Sequence, residues 1–214
     1  MIAKEQTQGF SLKDKTAAVV GMGGLGCNIA VHLAGAGFKK IFLFDFDTVN
    51  ESNLNRQFFY KKDDIGKSKV LLAKDFLSAY APETDFIAAN TKISGADDLV
   101  CAKDCDIIFS ALDNPVARLI LENFANNCGI PLVSGGIDGF YGMAHLYLPG
   151  EGSFPSELGF GEEGEASYNV SAVAGIIGSL QASIGIKYLL TKDKSLSKKL
   201  FIYDETQLNT LELK

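Results

Sequence analysis

The chain reads as short apolar runs with amphipathic segments between them, the pattern of strands alternating with crossover helices in a parallel sheet. The apolar runs predict strands at Thr16–Gly21, Lys40–Phe46, Asp85–Asn90, Asp106–Ser110 and Ile130–Ser134. Helices are predicted at Gly24–Ala36, Lys67–Ala79, Pro115–Asn127 and Val170–Leu190. A further strand is predicted within Ile137–Leu148, and the closing "KKLFIYDETQLNTLELK" predicts two strands joined by a turn. The fold class is therefore α/β: a Rossmann-like, doubly wound, mainly parallel sheet extended by antiparallel strands on the C-terminal side. Residues 1–214 form one domain. The Gly-, Ser-, Pro- and Glu-rich stretch 149–167 exceeds ordinary loop lengths and is expected to be a mobile lid or crossover. "KKDD" at Lys61–Asp64 reads as a solvated turn.

Composition narrows the classes. A chain of 214 residues is long enough for one well-buried domain. Hydrophobic residues make up 47% and charged ones 21%, as in a globular protein. The net charge of -6 disfavours a general nucleic-acid binder, which needs clustered positive charge. The start "MIAKEQTQGFSLKDK" has no signal-peptide core, and no stretch of about 18 uninterrupted apolar residues follows, so a cytoplasmic protein is expected, with no membrane partner. Cys27, Cys101, Cys105 and Cys128 form no CxxC pair. Cys101 and Cys105 would share a helical face as metal ligands, but buried or idle thiols are the simpler reading. His32 and His145 have no partner spacing and read as packing or surface residues.

The candidate chemistry begins at "GMGGLG". Gly21, Gly23 and Gly26 fit G-x-G-x-x-G directly after a strand and at the start of a helix, where backbone N–H groups face a phosphate. Asp45 ends the next strand, where a carboxylate accepts from ribose hydroxyls. These features suit either a nicotinamide dinucleotide or a nucleoside triphosphate. Asn53, Arg56 and Gln57 in "SNLNRQ" favour the polyphosphate, because a guanidinium and amide donors match its oxygens. Lys69 starts a predicted helix, where its charge opposes the dipole unless an anion offsets it. Asp113 and Asn114 follow the fourth strand at the carboxyl edge of the sheet. Asp113 is placed to bind the magnesium that accompanies a triphosphate, and the same pair would also cap the next helix.

Taken in order, "GMGGLG", "DFDTVNESNLNRQ", "GKSKV", "ALDNPVAR", "PLVSGG" and "AGIIGSLQASIGIKYLL" resemble the MoeB/ThiF family of the ubiquitin-activating-enzyme superfamily, from about Thr16 to the end. The resemblance implies an ATP- and Mg2+-dependent adenylyltransferase. Its substrate would be the C-terminal glycine of a small ubiquitin-fold sulfur carrier, ThiS- or MoaD-like and ending in Gly-Gly, in thiamine or molybdopterin biosynthesis. By that resemblance Gly23, Gly24 and Gly26 line the phosphates and Asp45 holds the ribose. Asn53, Arg56 and Lys69 contact the phosphates, Asp113 binds magnesium, Asp47 supports the strand end and Arg118 anchors the helix after Asp113. A homodimer is implied.

Departures from the family are expected to matter. Ser153-Phe154-Pro155-Ser156 stands where many relatives have their first zinc CxxC pair, so no zinc is expected. "GEEGEASYNVSAV" lacks the cysteine that thioester- or persulfide-forming relatives use. Residues 1–15 carry no arginine where the family often supplies one to the neighbouring subunit, so the expectation is either that a lysine such as Lys4 or Lys13 substitutes or that activity is weaker. No C-terminal rhodanese domain is expected, and a separate sulfur donor is expected in its place. Competing readings are a tRNA threonylcarbamoyladenosine dehydratase, a nucleotide-binding scaffold without catalysis, and an NAD-dependent oxidoreductase.

Overall fold

Five parallel strands and three antiparallel ones form a single sheet in the computed structural model, which describes residues 11–160 and 168–213. In chain order the elements are β1 (Thr16–Val20), α1 (Gly24–Ala36), β2 (Lys40–Phe44), α2 (Lys69–Tyr80), β3 (Asp85–Ala89), β4 (Ile107–Ser110), α3 (Pro115–Cys128), β5 (Leu132–Asp138), β6 (Tyr141–Tyr147), α4 (Ser171–Thr191), β7 (Lys199–Asp204) and β8 (Gln207–Glu212). The strand order is β3-β2-β1-β4-β5-β6-β7-β8, with every pair from β3 to β5 parallel and every pair from β5 to β8 antiparallel.

The central strands β1 and β4 are almost wholly apolar and buried because both their faces are covered. Alternate residues divide between two cores: Ala17 and Val19 of β1 join Ile41, Leu43, Ile107 and Phe109 under α1, α2 and α4. Ala18 and Val20 turn the other way, with Phe44 and Ile108, onto α3 and the 3-10 segment Ala96–Ala102. The chain reverses its strand order at β1, since β2 and β3 lie on one side of it and β4 on the other. Such a reversal opens a crevice beyond the carboxyl ends of the strands.

α4 has the length and mean hydropathy, 1.4, of a membrane-crossing helix. Half of its most apolar window is buried inside the protein, against α1 and the sheet. Gly178 sets the closeness of that packing: a Cβ there would lie 2.7 Å from the Asn28 Cβ and 2.8 Å from the Leu25 carbonyl oxygen.

The elements depart from the sequence reading at particular points. Ile137 and Asp138 belong to β5 and not to the following strand, because the hairpin turns at Gly139, whose φ is +56°. The "KKDD" turn is not wholly solvated: Asp64 is buried, accepts from the Lys61 N–H and pairs with Lys67 at 2.9 Å. Residues 149–160 are tied down: Glu122 of α3 accepts from the Ser156 N–H at 2.9 Å and its hydroxyl at 2.7 Å, and Phe154 stacks on Tyr147. Residues 161–167 lie outside the described residues, as do Lys4 and the rest of 1–10.

Candidate active site

The crevice at the strand reversal is a cleft of about 810 Å³. β1 leads into it through Gly21, whose φ of +100° lets the chain turn sharply toward α1. Gly26 lets the first turn of α1 press onto that bend; a Cβ there would lie 1.9 Å from the Gly21 carbonyl oxygen. α1 begins after Gly23 with no side-chain cap and no acidic residue in its first turn, while Gly23, Gly24 and Leu25 face the cleft. Uncapped N–H groups at a positive helix end suit an anion.

Both backbone polar groups of Met22 are held. Its N–H donates to Asp45 Oδ2 at 2.6 Å, and its carbonyl oxygen accepts from the Tyr60 hydroxyl at 2.8 Å and the Cys27 thiol at 3.7 Å. Asp45 accepts with its other oxygen from the Asp47 N–H at 2.7 Å. Burial raises the Asp45 carboxyl above its ordinary pKa, opposed by these two backbone donors. Burial also pushes the Cys27 and Cys105 thiols up to about 12, so both are packing groups at neutral pH.

Both arginines of the chain line this cleft, Arg56 on one side and Arg118 on the other. Arg56 lies on the turn after β2, with its stem against Gly24 and its Nη1 donating to the Ser52 carbonyl and Asn55 Oδ1, both at 2.9 Å. These partners are neutral, and among the described residues no carboxylate pairs with the guanidinium. Arg118 does more than anchor α3. Its Nη2 donates to the Gly135 carbonyl at 3.0 Å, while Nη1 is buried without a partner among the described residues. Burial lowers its pKa to about 10, with the nearby Asp113 charge opposing.

Of the other expected residues, Asp47, Gln57, Lys69, Asp113 and Asn114 line the cleft with Gly21, Gly23, Gly24 and Asp45. Gly26 and Asn53 do not. Gly26 is spent on helix packing. Asn53 is buried beneath the turn, where Oδ1 accepts from the Asn50 N–H and its carbonyl accepts from the Arg56 and Gln57 N–H groups. It therefore shapes the turn that presents Arg56 and Gln57. Asn114 caps α3 by accepting from the Ala117 N–H at 2.9 Å. Lys69 has an anion beside it, but a protein one: Nζ lies 3.0 Å from Asp47 Oδ2.

Sequence reasoning missed Phe46 and Lys92, whose ammonium lies 5.6 Å from the Phe46 ring centre in the same cleft. Lys92 follows β3 as Asp45 follows β2, so the rule placing ligands at strand carboxyl ends would have found it. It also missed Asp138, Tyr141 and Phe160 at the far end. Asp113 is exposed at the cleft, a single carboxylate that fits a divalent cation carried mainly by phosphate oxygens and water.

An open, mainly parallel sheet with a glycine turn, an uncapped helix and converging cations defines a nucleotide-binding protein of the doubly wound class. The chain belongs to the ThiF family, whose model matches residues 3–214. That bears out the resemblance read from the motifs. It is 34% identical over 211 residues to the molybdopterin-synthase adenylyltransferase of Escherichia coli, covering 95% of this chain and 84% of that protein. It is 32% identical to the adenylyltransferase and sulfurtransferase MOCS3 of Culex quinquefasciatus, of which it spans about half, 48%. Crystal structures of E. coli MccB, one of them with ATP, share the fold at a TM-score of 0.81 and 22% identity, covering 94% of this chain and 64% of MccB.

Proposed function

We propose that the protein is an adenylyltransferase that uses ATP to activate the C-terminal glycine of a small ubiquitin-fold sulfur-carrier protein ending in Gly-Gly, releasing pyrophosphate. One observation carries this reading. An acidic chain with two arginines brings both, together with Lys69, to a cleft that begins at an uncapped helix start. Relatives named for molybdopterin synthase favour a carrier of that pathway over one of thiamine synthesis.

The chemistry follows from the residue types. The glycine carboxylate is already ionised at neutral pH, so it attacks the α-phosphorus without a general base. The bond to the β-phosphate breaks, pyrophosphate leaves with its electron pair, and a mixed anhydride of carrier and AMP remains. Negative charge grows on the α-phosphoryl oxygens and the leaving group. Arg56, Lys69 and the first N–H groups of α1 are fixed before the reaction and stabilise that charge without reorganising. Asp45 keeps one acceptor site on each oxygen after its backbone bonds, enough for ribose hydroxyls. Asp113 would hold the Mg2+ that accompanies ATP, which would supply positive charge against the phosphates.

The carrier tail enters from the end of the cleft lined by Gly136, Tyr141 and Phe160. Gly159 and Phe160 border that end and would lie over the tail. The protein acts as a cytoplasmic homodimer and receives sulfur from a separate donor. The test is carrier-dependent exchange of labelled pyrophosphate into ATP, with Arg56→Ala and Asp113→Ala as controls. Exchange that needs a carrier and is lost in both variants supports the reading; ATP binding without exchange for any Gly-Gly carrier rejects it.

A further inference from the structure

Lys69 and Asp47 form an ion pair at 3.0 Å, but the two partners are unequally placed. The lysine side chain is 7% exposed and the aspartate side chain 49%. The backbone of Asp47 is fixed independently of its carboxylate: its N–H donates to Asp45 Oδ1 and its carbonyl oxygen accepts the Lys69 N–H. Its carboxylate can therefore turn out to water while the loop stays in place. Lys69 cannot follow, because it starts α2 beneath the cleft, and a buried ammonium without an anion is costly. Both residues line the same cleft as the uncapped start of α1 and as Arg56.

We infer that Asp47 is a stand-in anion. It holds the Lys69 ammonium in place in the free protein, and it yields that ammonium to a phosphoryl oxygen when a nucleotide binds. This inference rests on the nucleotide-binding part of the function proposed above, and not on the carrier. Binding at Lys69 is then an exchange of anions, so Asp47 competes with the ligand while stabilising the free protein. A ligand without phosphate has nothing to exchange. The residue thus sets a threshold of ligand charge.

The two roles predict effects of opposite sign. In Asp47→Asn, which keeps the side-chain shape, ATP and inorganic tripolyphosphate should bind about fivefold more tightly by calorimetry, the scale of a partly exposed ion pair. Adenosine affinity should stay as it is, and the melting temperature should fall. In a Lys69→Met background the Asp47→Asn change should leave ATP affinity where it was. Asp47→Ser, measured below its melting transition, serves as the second variant and should show the same tightening. Weaker or unchanged ATP binding in Asp47→Asn and Asp47→Ser overturns the inference, because the pair would then be a plain strut or Asp47 a direct ligand group. A wild type that binds neither ATP nor tripolyphosphate overturns it as well. Tightened ATP binding in a protein that adenylates no carrier supports the inference and rejects the adenylation reading alone.

Discussion

Arg56 sits where its stem crosses Gly24 and, among the described residues, its guanidinium meets only neutral oxygens, at the start of α1. Removing one preorganised donor from a phosphoryl-transfer site costs on the order of a hundredfold in rate. Arg56→Ala should lower the exchange rate by about that factor with little change in melting temperature. Tyr60 acts through another group: its hydroxyl holds the carbonyl of Met22, the residue whose N–H meets Asp45, and so helps fix the glycine turn. Tyr60→Phe should raise KM for ATP several-fold while kcat changes less, and should cost about 1 kcal/mol of stability in urea unfolding. Individual residues were partly legible in the sequence. The need for an anion at Lys69 followed from its place at a helix start, but the identity of that anion did not. Asp47 lies 22 positions away, and only the tertiary fold brings the two together.

At the scale of elements, Asn114 and Gly178 show how local chemistry positions the cleft. Asn114 is the cap of α3, so Asn114→Ala should destabilise the protein by about 1 kcal/mol, seen as a lowered urea midpoint, with ATP affinity nearly unchanged. Gly178→Ala should cost roughly 1–3 kcal/mol by overpacking, since its Cβ would press on Asn28 and the Leu25 carbonyl where α4 crosses α1. The long helices and parallel strands were readable because apolar periodicity and punctuation by Gly and Pro agree there. α3, for instance, starts at Pro115 and stops at Gly129 in a left-handed conformation. The stretch from Glu51 to Asp64 was not readable as structure. It is built of three-residue 3-10 turns too short to show a period, and it is held by bonds such as that of the Asn53 side chain to the Asn50 N–H. The junction of β5 and β6 was misplaced for a related reason: one positive-φ glycine, Gly139, makes the turn.

Across the whole molecule, His145 ties three parts together. Its ring is buried on β6, with Nδ1 3.0 Å from the Lys199 carbonyl oxygen of β7 and Nε2 3.2 Å from the Ser153 carbonyl oxygen of the 149–160 segment. Burial lowers its pKa below the ordinary histidine value, outweighing the two carbonyls. In the unfolded chain the ring takes up a proton near pH 6.5, whereas in the folded protein it resists one. Stability is therefore unaffected by this group above that pH and falls as pH drops below it. Urea unfolding at about pH 7.5 and about pH 5.5 should show that loss in the wild type, and His145→Gln should reduce it.

The overall architecture and the placing of the site at the carboxyl edge of the sheet were legible, because they follow from the alternation of strands and helices and the rule for open sheets; the reversal at β1 was not, since strand order is set by tertiary pairing. The far wall of the cleft, with Tyr141 on β6 and Ile202 on β7, was not, since antiparallel pairing across the sheet brings it there.

The central claim is that this cleft joins AMP to a carboxylate. Mass spectrometry of a purified Gly-Gly carrier, incubated with the protein, ATP and Mg2+ and quenched before hydrolysis, tests it directly. The account predicts a carrier heavier by one adenylyl group, formed about a hundredfold more slowly with Arg56→Ala. A carrier of unchanged mass across the panel, with ATP bound in the cleft, would contradict it.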